Sequence, residues 1–243
     1  MTAPVPVPVP APPPVALVTG GSAGLGRALV GALAAHGWTV VTDGRDPAAL
    51  APVADVPGVH VVPGAVSDPG HRDRLAAAVT GAGRLDLLVH NASTLGPLPR
   101  RWLRDLAPRD LDAVWAVNTA APHALTRLLV DLLRASDGVL LSLSSDVVTG
   151  HHAGWGGYAA SKAALDHLTL TWGVEEAVAA YAVDPGDMRT RMHQDAFPGE
   201  DVSDRPDPTT VVPVLLALVE RRPPSGRYRA EDVTAPAGAG ATR

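Results

Sequence analysis

The sequence predicts one α/β domain, a doubly wound, seven-stranded and mainly parallel sheet with helices on both faces. Short runs that are almost wholly apolar recur along the chain and indicate strands buried on both faces. Stretches with apolar residues at helical spacing separate these runs, and such alternation is typical of a parallel sheet. The chain has 243 residues, 46% of them apolar, which is enough for one large core.

The elements follow one another along the chain without an internal domain break. In the first helix, Leu29 and Leu33 lie about one turn apart and Gly37 ends the helix. The strands are predicted at residues 15–19, 38–42, 59–62, 85–89, 138–144, 180–183 and 227–230. The helices are predicted at residues 27–36, 47–54, 70–80, 108–134, 158–177 and 208–221.

The two ends of the chain differ in composition from the rest. Val-Pro and Pro-Pro steps dominate the first fourteen residues, which favours extended polyproline II structure. These residues lack the charged start and continuous apolar run of a signal peptide. We therefore expect a cytoplasmic protein with a flexible Pro-rich tail over residues 1–14, one domain over residues 15–232 and a loose end over residues 233–243.

Composition argues against several classes of function. The net charge is −5 and no run of Lys and Arg exceeds a pair, so we expect neither nucleic acid nor membrane as a partner. The absence of cysteine excludes disulfides and thiolate metal sites. No apolar stretch approaches about 18 residues, the length that spans a bilayer. Adjacent His151 and His152 project apart without an acidic partner, so no metal site is predicted.

Three residues stand out because the composition disfavours them. Lys162 is the only lysine, Asn91 and Asn118 are the only asparagines, and isoleucine is absent. A chain so rich in Ala, Gly, Pro and Arg is typical of a GC-rich genome, which disfavours the codons for these amino acids. Residues that occur against this bias are candidates for chemical necessity, the alternative being chance survival.

A glycine-rich turn follows the first predicted strand, with the sequence Thr19-Gly20-Gly21-Ser22-Ala23-Gly24-Leu25-Gly26. The helix that begins there offers unpaired N–H groups and a partial positive charge to a pyrophosphate. Such a turn is also common as an ordinary tight loop. The turn alone therefore leaves both interpretations open.

Tyr158 and Lys162 are four residues apart, which places both side chains on one helix face, about 5–6 Å apart. A free tyrosine has a pKa of about 10, and a nearby ammonium favours the phenolate, so Lys162 is expected to lower the pKa of Tyr158. The same spacing is frequent on solvent-facing helices. A catalytic pair is preferred here because no other lysine exists in the chain.

Two further polar residues fall at informative positions. Ser144 and Ser145 close an apolar strand at its carboxyl end, where α/β sheets bind ligands. Ser145 lies thirteen residues before Tyr158, whereas Ser144 is equally suited to a cap or a turn. Asn118 is predicted in the middle of a helix, where asparagine is unfavourable, which indicates a role other than helix stability.

These motifs, with Asn91 in His90-Asn91-Ala92-Ser93 and the stretch Pro185-Gly186-Asp187-Met188-Arg189-Thr190, resemble the short-chain dehydrogenase/reductase family of the Tyr-x-x-x-Lys type. The resemblance covers residues 15–230 and implies a Rossmann-type fold. Within the family, Gly154-Trp155 and the short C-terminus are loosely similar to sepiapterin-reductase-like members. The carboxylate that anchors the pterin in those enzymes falls at Ala230, so no pterin substrate is predicted.

The resemblance implies the roles of the site residues. As catalytic residues, Tyr158 exchanges the proton, Ser145 binds the same substrate oxygen, Lys162 binds the nicotinamide ribose, and Asn118 kinks its helix and orders a water. Cofactor-binding positions are Gly20, Ser22, Gly24, Leu25, Gly26, Arg45, Val66, Asn91, Tyr158, Lys162, Pro185, Gly186, Met188 and Thr190. Substrate-binding positions are Ser145, Trp155, Tyr158 and Met192, within walls formed by residues 95–103, 146–155 and 188–204.

Departures from the family pattern affect the cofactor end. His90 and Ser93 replace an asparagine and a glycine. Ala65 stands where many members have an aspartate near the adenine. Only the backbone of Val66 is therefore left to contact the adenine. Gly44 replaces the acid of NAD-preferring relatives and Arg45 resembles the arginine that pairs with the 2′-phosphate, so NADP(H) is favoured over NAD(H). Asp43 opposes this assignment, because a nearby carboxylate would repel the phosphate.

The sequence therefore predicts an NADP(H)-dependent oxidoreductase that reduces a small-molecule ketone or aldehyde to an alcohol, or catalyses the reverse. The alternatives are a non-catalytic NADP-sensing regulatory protein on the same fold and an NAD-dependent alcohol dehydrogenase. A homodimer or homotetramer is expected through the helices that begin near Pro108 and Tyr158. The second of these helices carries more apolar residues than contact with a sheet requires, namely Leu165, Leu168, Leu170 and Trp172.

Overall fold

The computed structural model describes residues 12–233 and contains a seven-stranded sheet in which every neighbouring pair is parallel. The strands are β1 Val15–Val18, β2 Thr39–Gly44, β3 Val59–Pro63, β4 Leu87–His90, β5 Val139–Leu143, β6 Ala179–Asp184 and β7 Gly226–Arg229. Their order is β3-β2-β1-β4-β5-β6-β7. The predicted doubly wound fold is confirmed. Residues 1–11 and 234–243, which hold most of the predicted tail and end, lie outside the described residues.

The helices agree with the predicted alternation and differ from it in detail. They are α1 Gly24–Ala35, α2 Pro47–Ala54, α3 Pro69–Gly81, α4 Pro108–Trp115, α5 Ala121–Ala135, α6 Gly156–Glu176, α7 Arg191–Ala196 and α8 Val212–Arg221. Helix α1 begins three residues earlier than predicted, because the glycine-rich turn winds directly into it. Helix α7 was not predicted, since its six residues are too short for a periodic pattern.

The sheet separates two apolar cores because successive side chains of a strand point to opposite faces. Val18 belongs to the core beneath α1 and α8, whereas Leu17 belongs to the core beneath α3, α5 and α6. Both side chains are fully buried. Each such burial contributes about 1.5–3 kcal/mol to folding, which explains why the strands are apolar on both faces.

The strand order reverses at β1, which pairs with β2 on one side and with β4 on the other. Connections leave β1 and β4 toward opposite faces of the sheet at this point. The carboxyl ends of the two strands therefore open into a crevice, the usual ligand site of a doubly wound fold.

The helical region predicted at residues 108–134 is interrupted by a π-helical segment, Ala116–Ala120, between α4 and α5. A π turn carries an extra residue and occurs frequently at functional sites. The segment contains Asn118, whose side chain is fully buried. The unfavourable asparagine thus coincides with the break in the helix.

Part of the apolar surplus expected on α6 belongs to the core of the monomer. Leu165 is only 3% exposed and packs within the monomer, and Leu168, Leu170 and Trp172 are half-buried. The Trp172 ring lies 5.5 Å from the ring of His123 on α5.

Three other large apolar residues, one on each of α4, α5 and α6, are exposed. They are Trp115 (37% exposed), Leu128 (42%) and Val174 (83%). No helix among residues 12–233 is both long enough and apolar enough to cross a bilayer.

Candidate active site

A cleft of about 730 Å³ opens at the carboxyl ends of the central strands. Of the site residues predicted from the sequence, only Gly26 and Asn118 do not line it. Those that do are Gly20, Ser22, Gly24, Leu25, Arg45, Val66, Asn91, Ser145, Trp155, Tyr158, Lys162, Pro185, Gly186, Met188, Thr190 and Met192. The fold therefore brings the phosphate loop, the Tyr158 helix and the loop after β6 to one place.

The glycine loop is a cradle that side chains would fill. A Cβ on Gly26 would lie 2.3 Å from the carbonyl oxygen of Gly20 and 2.4 Å from Nδ2 of Asn91. Gly20 has a φ of +72°, in the left-handed region that favours glycine. The N-terminus of α1 thus remains open to an anion in the cleft.

Asn91 holds this loop in shape. Its Nδ2 donates to the carbonyl oxygens of Thr19 (2.8 Å) and Gly20 (3.1 Å). The hydroxyl of Thr19 accepts from the backbone N–H groups of Asn91 and Ala92. These bonds join the ends of β1 and β4, so Asn91 lines the cleft while its amide binds the phosphate loop itself.

The carboxylate of Asp43, which also lines the cleft, is engaged by protein groups. Its carboxylate accepts a bond from the N–H of Gly20 (2.6 Å) and lies 2.9 Å from Nε2 of His71. Asp43 and His71 are both buried. One carboxylate oxygen of Asp43 therefore holds the glycine loop at Gly20, and the other is paired with His71.

The neighbouring positions fit a phosphate better than ribose hydroxyls. A Cβ on Gly44 would lie 2.9 Å from both side-chain atoms of Ser22, so an acidic residue at position 44 has no room. Arg45 is exposed at the edge of the cleft. Within residues 12–233 it forms no hydrogen bond or ion pair, which leaves its guanidinium available to a ligand anion.

Tyr158 lies in the cleft, which Ser93 and Ser145 also line. Burial raises its pKa to about 12, and the charges of Asp146 and Asp184 act in the same direction, whereas the hydrogen bonds from Ser93 and Ser145 lower it. The expected lowering by Lys162 does not prevail in this structure. Tyr158 is therefore a protonated phenol at neutral pH.

Lys162 is 2% exposed and its ammonium has one protein acceptor at short range, the carbonyl oxygen of Leu143 at 2.7 Å. Burial lowers its pKa to about 8, and the charge of Asp166 opposes this effect. Its Nζ lies 5.8 Å from the centre of the Tyr158 ring. The lysine is thus desolvated and aligned beside the tyrosine, as the spacing of four predicts.

Two residues that support Ser145 were missed in the sequence. Asp166 accepts bonds from Oγ of Ser144 (2.6 Å) and from Nε of Arg227 (3.1 Å), and Nη2 of Arg227 donates to the carbonyl oxygen of Ser145 (2.8 Å). Burial raises the pKa of Asp166 in spite of these bonds. The last strand is thereby fastened to the turn that carries Ser145, and no local pattern indicates this contact.

Asn118 lies behind the cleft and its side chain is saturated by protein groups. Its Oδ1 accepts from the N–H of Thr94 (2.9 Å) and from Oγ of Ser93 (3.2 Å). Its Nδ2 donates to the carbonyl oxygen of Thr94 (2.9 Å) and to Oγ of Ser161 (3.0 Å). The implied role of ordering a water therefore requires a backbone group, because all four side-chain positions are occupied.

His90, which replaces an asparagine of the family pattern, points away from the cleft. Its Nε2 lies 2.8 Å from the hydroxyl of Thr126 on α5. Burial, and secondarily the charge of Lys162, lowers its pKa to about 3, so the ring is neutral. The replacement therefore changes packing beneath the loop and adds no charge to the site.

Aromatic side chains form the far end of the cleft. The ring of Trp155 lies 5.7 Å from that of Tyr158, edge to face, and 5.9 Å from that of Phe197. The guanidinium of Arg100 covers Trp155 at 4.1 Å and Phe197 at 5.0 Å. Met192 lines the same end. This lining suits a substrate with apolar or aromatic groups beside the reacting carbon.

Part of the predicted substrate wall lies outside the cleft. Of residues 95–103, only Leu95 lines it, whereas Leu98, Trp102 and Leu103 are exposed at the surface. The side chain of Leu103 packs instead against Gly156 at the start of α6. Among the described residues no group of three His, Asp or Glu side chains could hold a metal ion.

The family model of short chain dehydrogenases matches residues 14–201. An uncharacterised oxidoreductase of Escherichia coli, YciK, is 32% identical over 217 residues, which cover 84% of this chain and 85% of that protein. The sepiapterin reductase of Meriones unguiculatus is 32% identical over 200 residues, covering 74% of this chain and 76% of that enzyme. The motifs quoted above thus lie within regions of extended similarity.

Solved structures agree with these matches. The structure of a putative short chain dehydrogenase from Pseudomonas syringae has a TM-score of 0.83 and 36% identity, covering 89% of this chain and 94% of that one. A short chain dehydrogenase from Shigella flexneri 2a, complexed with NADP, has a TM-score of 0.80 and 30% identity, covering 90% of this chain and 97% of that one. The fold, the arrangement of the cleft and the match to the family model lead to one conclusion: the chain belongs to the short-chain dehydrogenase family of oxidoreductases, which use a nicotinamide cofactor.

Proposed function

We propose that this protein is an NADP(H)-dependent carbonyl reductase that converts a small-molecule ketone or aldehyde into an alcohol. The observation that carries the proposal is a cleft that brings together Tyr158, Ser145 and the buried Lys162, whose Nζ lies 5.8 Å from the centre of the Tyr158 ring. When bound, the nicotinamide cofactor supplies or accepts the hydride. The chain's own residues bind the two ligands and move the proton.

The cofactor end of the cleft fits a dinucleotide with a 2′-phosphate. The glycine cradle at Gly20, Gly24 and Gly26 admits a pyrophosphate to the N-terminus of α1, since a Cβ on Gly26 would collide with the loop. Arg45 is available to the 2′-phosphate, and Lys162 to the nicotinamide ribose. The NADP complex of the Shigella flexneri structure supports the same choice.

In the cofactor-free structure Tyr158 is in the protonated form that reduction requires. With a pKa near 12 its phenol is protonated at neutral pH and can donate to a carbonyl oxygen that is becoming an alkoxide. Ser145 hydrogen-bonds the same oxygen, and Arg227 holds the backbone of Ser145 in place. Oxidation requires a phenolate, which the burial of Tyr158 opposes. An NAD-dependent alcohol dehydrogenase is the alternative if Arg45 does not bind a phosphate.

We also propose that the enzyme is a homodimer or homotetramer built on α4, α5 and α6. Trp115, Leu128 and Val174 are the exposed apolar residues of these helices. Exposed apolar side chains are unfavourable in water, and pairing of the same helices from two copies about a two-fold axis would bury them.

The experiment that tests the function is Tyr158→Phe. NADPH oxidation, followed at 340 nm across a panel of aromatic and aliphatic ketones and aldehydes, identifies a substrate for the wild type. Phenylalanine keeps the ring and removes only the proton, so turnover should fall by about 10²–10⁴-fold while NADPH affinity stays nearly unchanged. Wild-type turnover in this variant would contradict the general-acid assignment. Binding of NADPH with no turnover of any carbonyl would favour the non-catalytic regulatory protein instead.

A further inference from the structure

The start of the glycine loop is anchored on Asp43, at the carboxyl end of β2. Oδ1 of Asp43 accepts from the N–H of Gly20 (2.6 Å), and its backbone carbonyl oxygen accepts from the N–H of Gly21 (2.9 Å). On the other side of Gly20, Nδ2 of Asn91 donates to the carbonyl oxygen at 3.1 Å. Both peptide groups of Gly20 are therefore held by side chains, and the N–H groups that follow, at the start of α1, are left for a ligand anion.

Asp43 is held in turn by His71, which lies in the first turn of α3, behind the cleft. Oδ2 of Asp43 is 2.9 Å from Nε2 of His71, and the two side chains are 1% and 0% exposed. Nδ1 of His71 is 3.4 Å from Nη2 of Arg74. A guanidinium can only donate, so Nδ1 accepts and the ring hydrogen lies on Nε2. His71 is therefore the donor in its bond with the carboxylate of Asp43.

The space for the imidazole is provided by a glycine after β3. A Cβ on Gly64 would lie 2.3 Å from Nδ1 of His71. The N–H of Gly64 donates to the carbonyl oxygen of Gly44 (2.9 Å), which joins the ends of β3 and β2 beside the ring. Gly44 and Gly64 both line the cleft, whereas His71 does not. The imidazole is thus enclosed directly behind the wall of the cofactor end.

We propose that His71 is a positioning residue for the cofactor, which acts through Asp43 to hold the glycine loop in the conformation that binds the pyrophosphate. The inference rests on the proposed binding of a nicotinamide dinucleotide at this loop. Without the donor at Nε2, one oxygen of Asp43 would be buried and unpaired, which is costly for a carboxylate. Asp43 is then expected to turn toward solvent in the cleft and to release the N–H of Gly20.

The loss of this bond lowers the fraction of molecules whose loop is ready to bind. The apparent affinity for a ligand falls by the same factor as the fraction of binding-competent molecules. Because the pyrophosphate is common to NADPH and NADH, both cofactors should be affected alike. This distinguishes His71 from Arg45, whose proposed contact is with the 2′-phosphate that NADH lacks.

The test uses two amides of different reach at position 71. Glutamine places its amide nitrogen near the position of Nε2, so His71→Gln can still donate to Asp43. Asparagine carries the same amide one bond closer to the backbone, so His71→Asn loses the contact. Leu75→Ala is the control for general loosening of α3, since Leu75 is fully buried one turn further along the helix. Fluorescence titration of the complete chain gives Kd for NADPH and NADH, and thermal unfolding gives Tm.

We expect His71→Asn to weaken the binding of NADPH and of NADH about tenfold, the scale of one hydrogen bond to a charged group, while kcat at saturating NADPH changes little. His71→Gln should restore both Kd values to near the wild type. Leu75→Ala should lower Tm and leave both Kd values near the wild type.

The proposal would be overturned by unchanged affinity in His71→Asn, or by an equal loss of affinity in His71→Gln or Leu75→Ala. A loss confined to NADPH would also contradict it, because repulsion of the 2′-phosphate by Asp43 would then be the cause. The titrations need no carbonyl substrate. A chain that shows the expected Kd values but reduces no carbonyl would therefore contradict the proposed function and support the role of His71.

Discussion

Lys162 is a single residue at which the proposed function and the stability of the fold are in conflict. Its ammonium is desolvated at 2% exposure and has the carbonyl oxygen of Leu143 as its close acceptor. Burial lowers its pKa to about 8, which means that the folded chain binds this proton less tightly than the unfolded chain does. The residue therefore reduces stability wherever it is charged in both states.

The sign of this effect predicts a pH dependence. Between the folded pKa of about 8 and the ordinary value of 10.5, the unfolded chain holds the proton and the folded chain does not, so stability rises with pH. From pH 7.5 to pH 9.5 the free energy of unfolding of the cofactor-free protein should increase by about 2 kcal/mol. Urea unfolding at the two pH values measures this increase in the free energy of unfolding. Lys162→Met should be more stable at pH 7.5 and should lose this increase, and an equal increase in both proteins would assign it to other groups.

Arg45 is the single side chain that we propose to select the cofactor. Its guanidinium is exposed at the cleft edge, and Gly44 leaves no room for the acid that would select NAD(H). Arg45→Ala should weaken NADPH binding by about 1.5–3 kcal/mol, the value of a charged hydrogen bond, with little change for NADH. Fluorescence titration with both cofactors measures it, with Arg109→Ala as the control at an exposed arginine outside the cleft. Equal losses for NADPH and NADH would show that Arg45 does not bind the phosphate.

The residues of the site could be predicted where their proximity follows from a short separation along the chain. Tyr158 and Lys162 lie on one helix, so their proximity follows from a separation of four. Asp166 and Arg227 are 61 residues apart and meet only because β7 pairs with β6 at the edge of the sheet. Nothing in the local sequence around Arg227 distinguishes it from a solvated arginine on an edge strand. Contacts of this kind require the topology before they can be inferred.

Among the strands and helices, too, those determined by the local sequence were predicted and those determined by distant contacts were not. Strands such as β5 Val139–Leu143 were predictable because a continuous apolar run is explained by burial on both faces. Helix α7 has six residues and depends on a cap, with Oγ1 of Thr190 accepting from the N–H of His193 at 3.1 Å. The π-helical segment Ala116–Ala120 contains Asn118, where the family resemblance implied a kink, whereas the bonds of Asn118 to the facing loop could not be inferred from the sequence.

The substrate end of the cleft depends on contacts between elements. Arg100 precedes α4 along the chain, yet its guanidinium covers Trp155 before α6 and Phe197 after α7. Its Nη1 is buried and has no hydrogen-bond partner among the described residues, so its main contacts are with the two rings. Each cation–π contact contributes about 0.5–1 kcal/mol or more when desolvated. The arginine therefore holds the loops around the substrate together.

Arg100→Ala should loosen this end of the cleft without touching the reacting groups. We expect KM for the carbonyl substrate to rise about threefold to tenfold, the scale of one to two such contacts, with kcat and KM for NADPH changing little. Steady-state kinetics with each ligand varied in turn measures it. Arg104→Ala is the matched control, because Arg104 covers the exposed Trp102 at 5.7 Å outside the cleft. A fall in kcat with unchanged KM would assign Arg100 to catalysis rather than to substrate binding.

At the scale of the whole molecule, the sheet explains why binding and assembly use different surfaces. The residues that line the cleft lie at the carboxyl ends of the central strands, around β1 and β4. The helices α5 and α6 cover one face of the sheet with their inner sides, through residues such as Leu125 and Leu165. Their outer sides are left to solvent or to a second copy of the chain. Assembly can therefore occur without obstructing the cleft.

The apolar outer side of these helices predicts a homo-oligomer. Leu128 is 42% exposed on α5, Val174 is 83% exposed on α6, and Trp115 is 37% exposed at the end of α4. A stable two-fold contact buries about 800 Å² on each subunit, which two adjacent helices of 15 and 21 residues can supply. Because the contact is self-complementary, one new carboxylate at its centre is desolvated in both subunits and repels its symmetry mate.

Leu128→Glu should therefore convert the protein into a monomer. Light scattering at micromolar concentration should give two or four times 25.0 kDa for the wild type and about 25.0 kDa for the variant. Leu103→Glu is the control, since Leu103 is 68% exposed on the segment before α4, outside the cleft and not on α5 or α6, and this variant should keep the wild-type mass. A wild-type mass near 25.0 kDa would refute the oligomer. An oligomer that persists in Leu128→Glu but dissociates in Leu103→Glu would place the contact on the loop before α4.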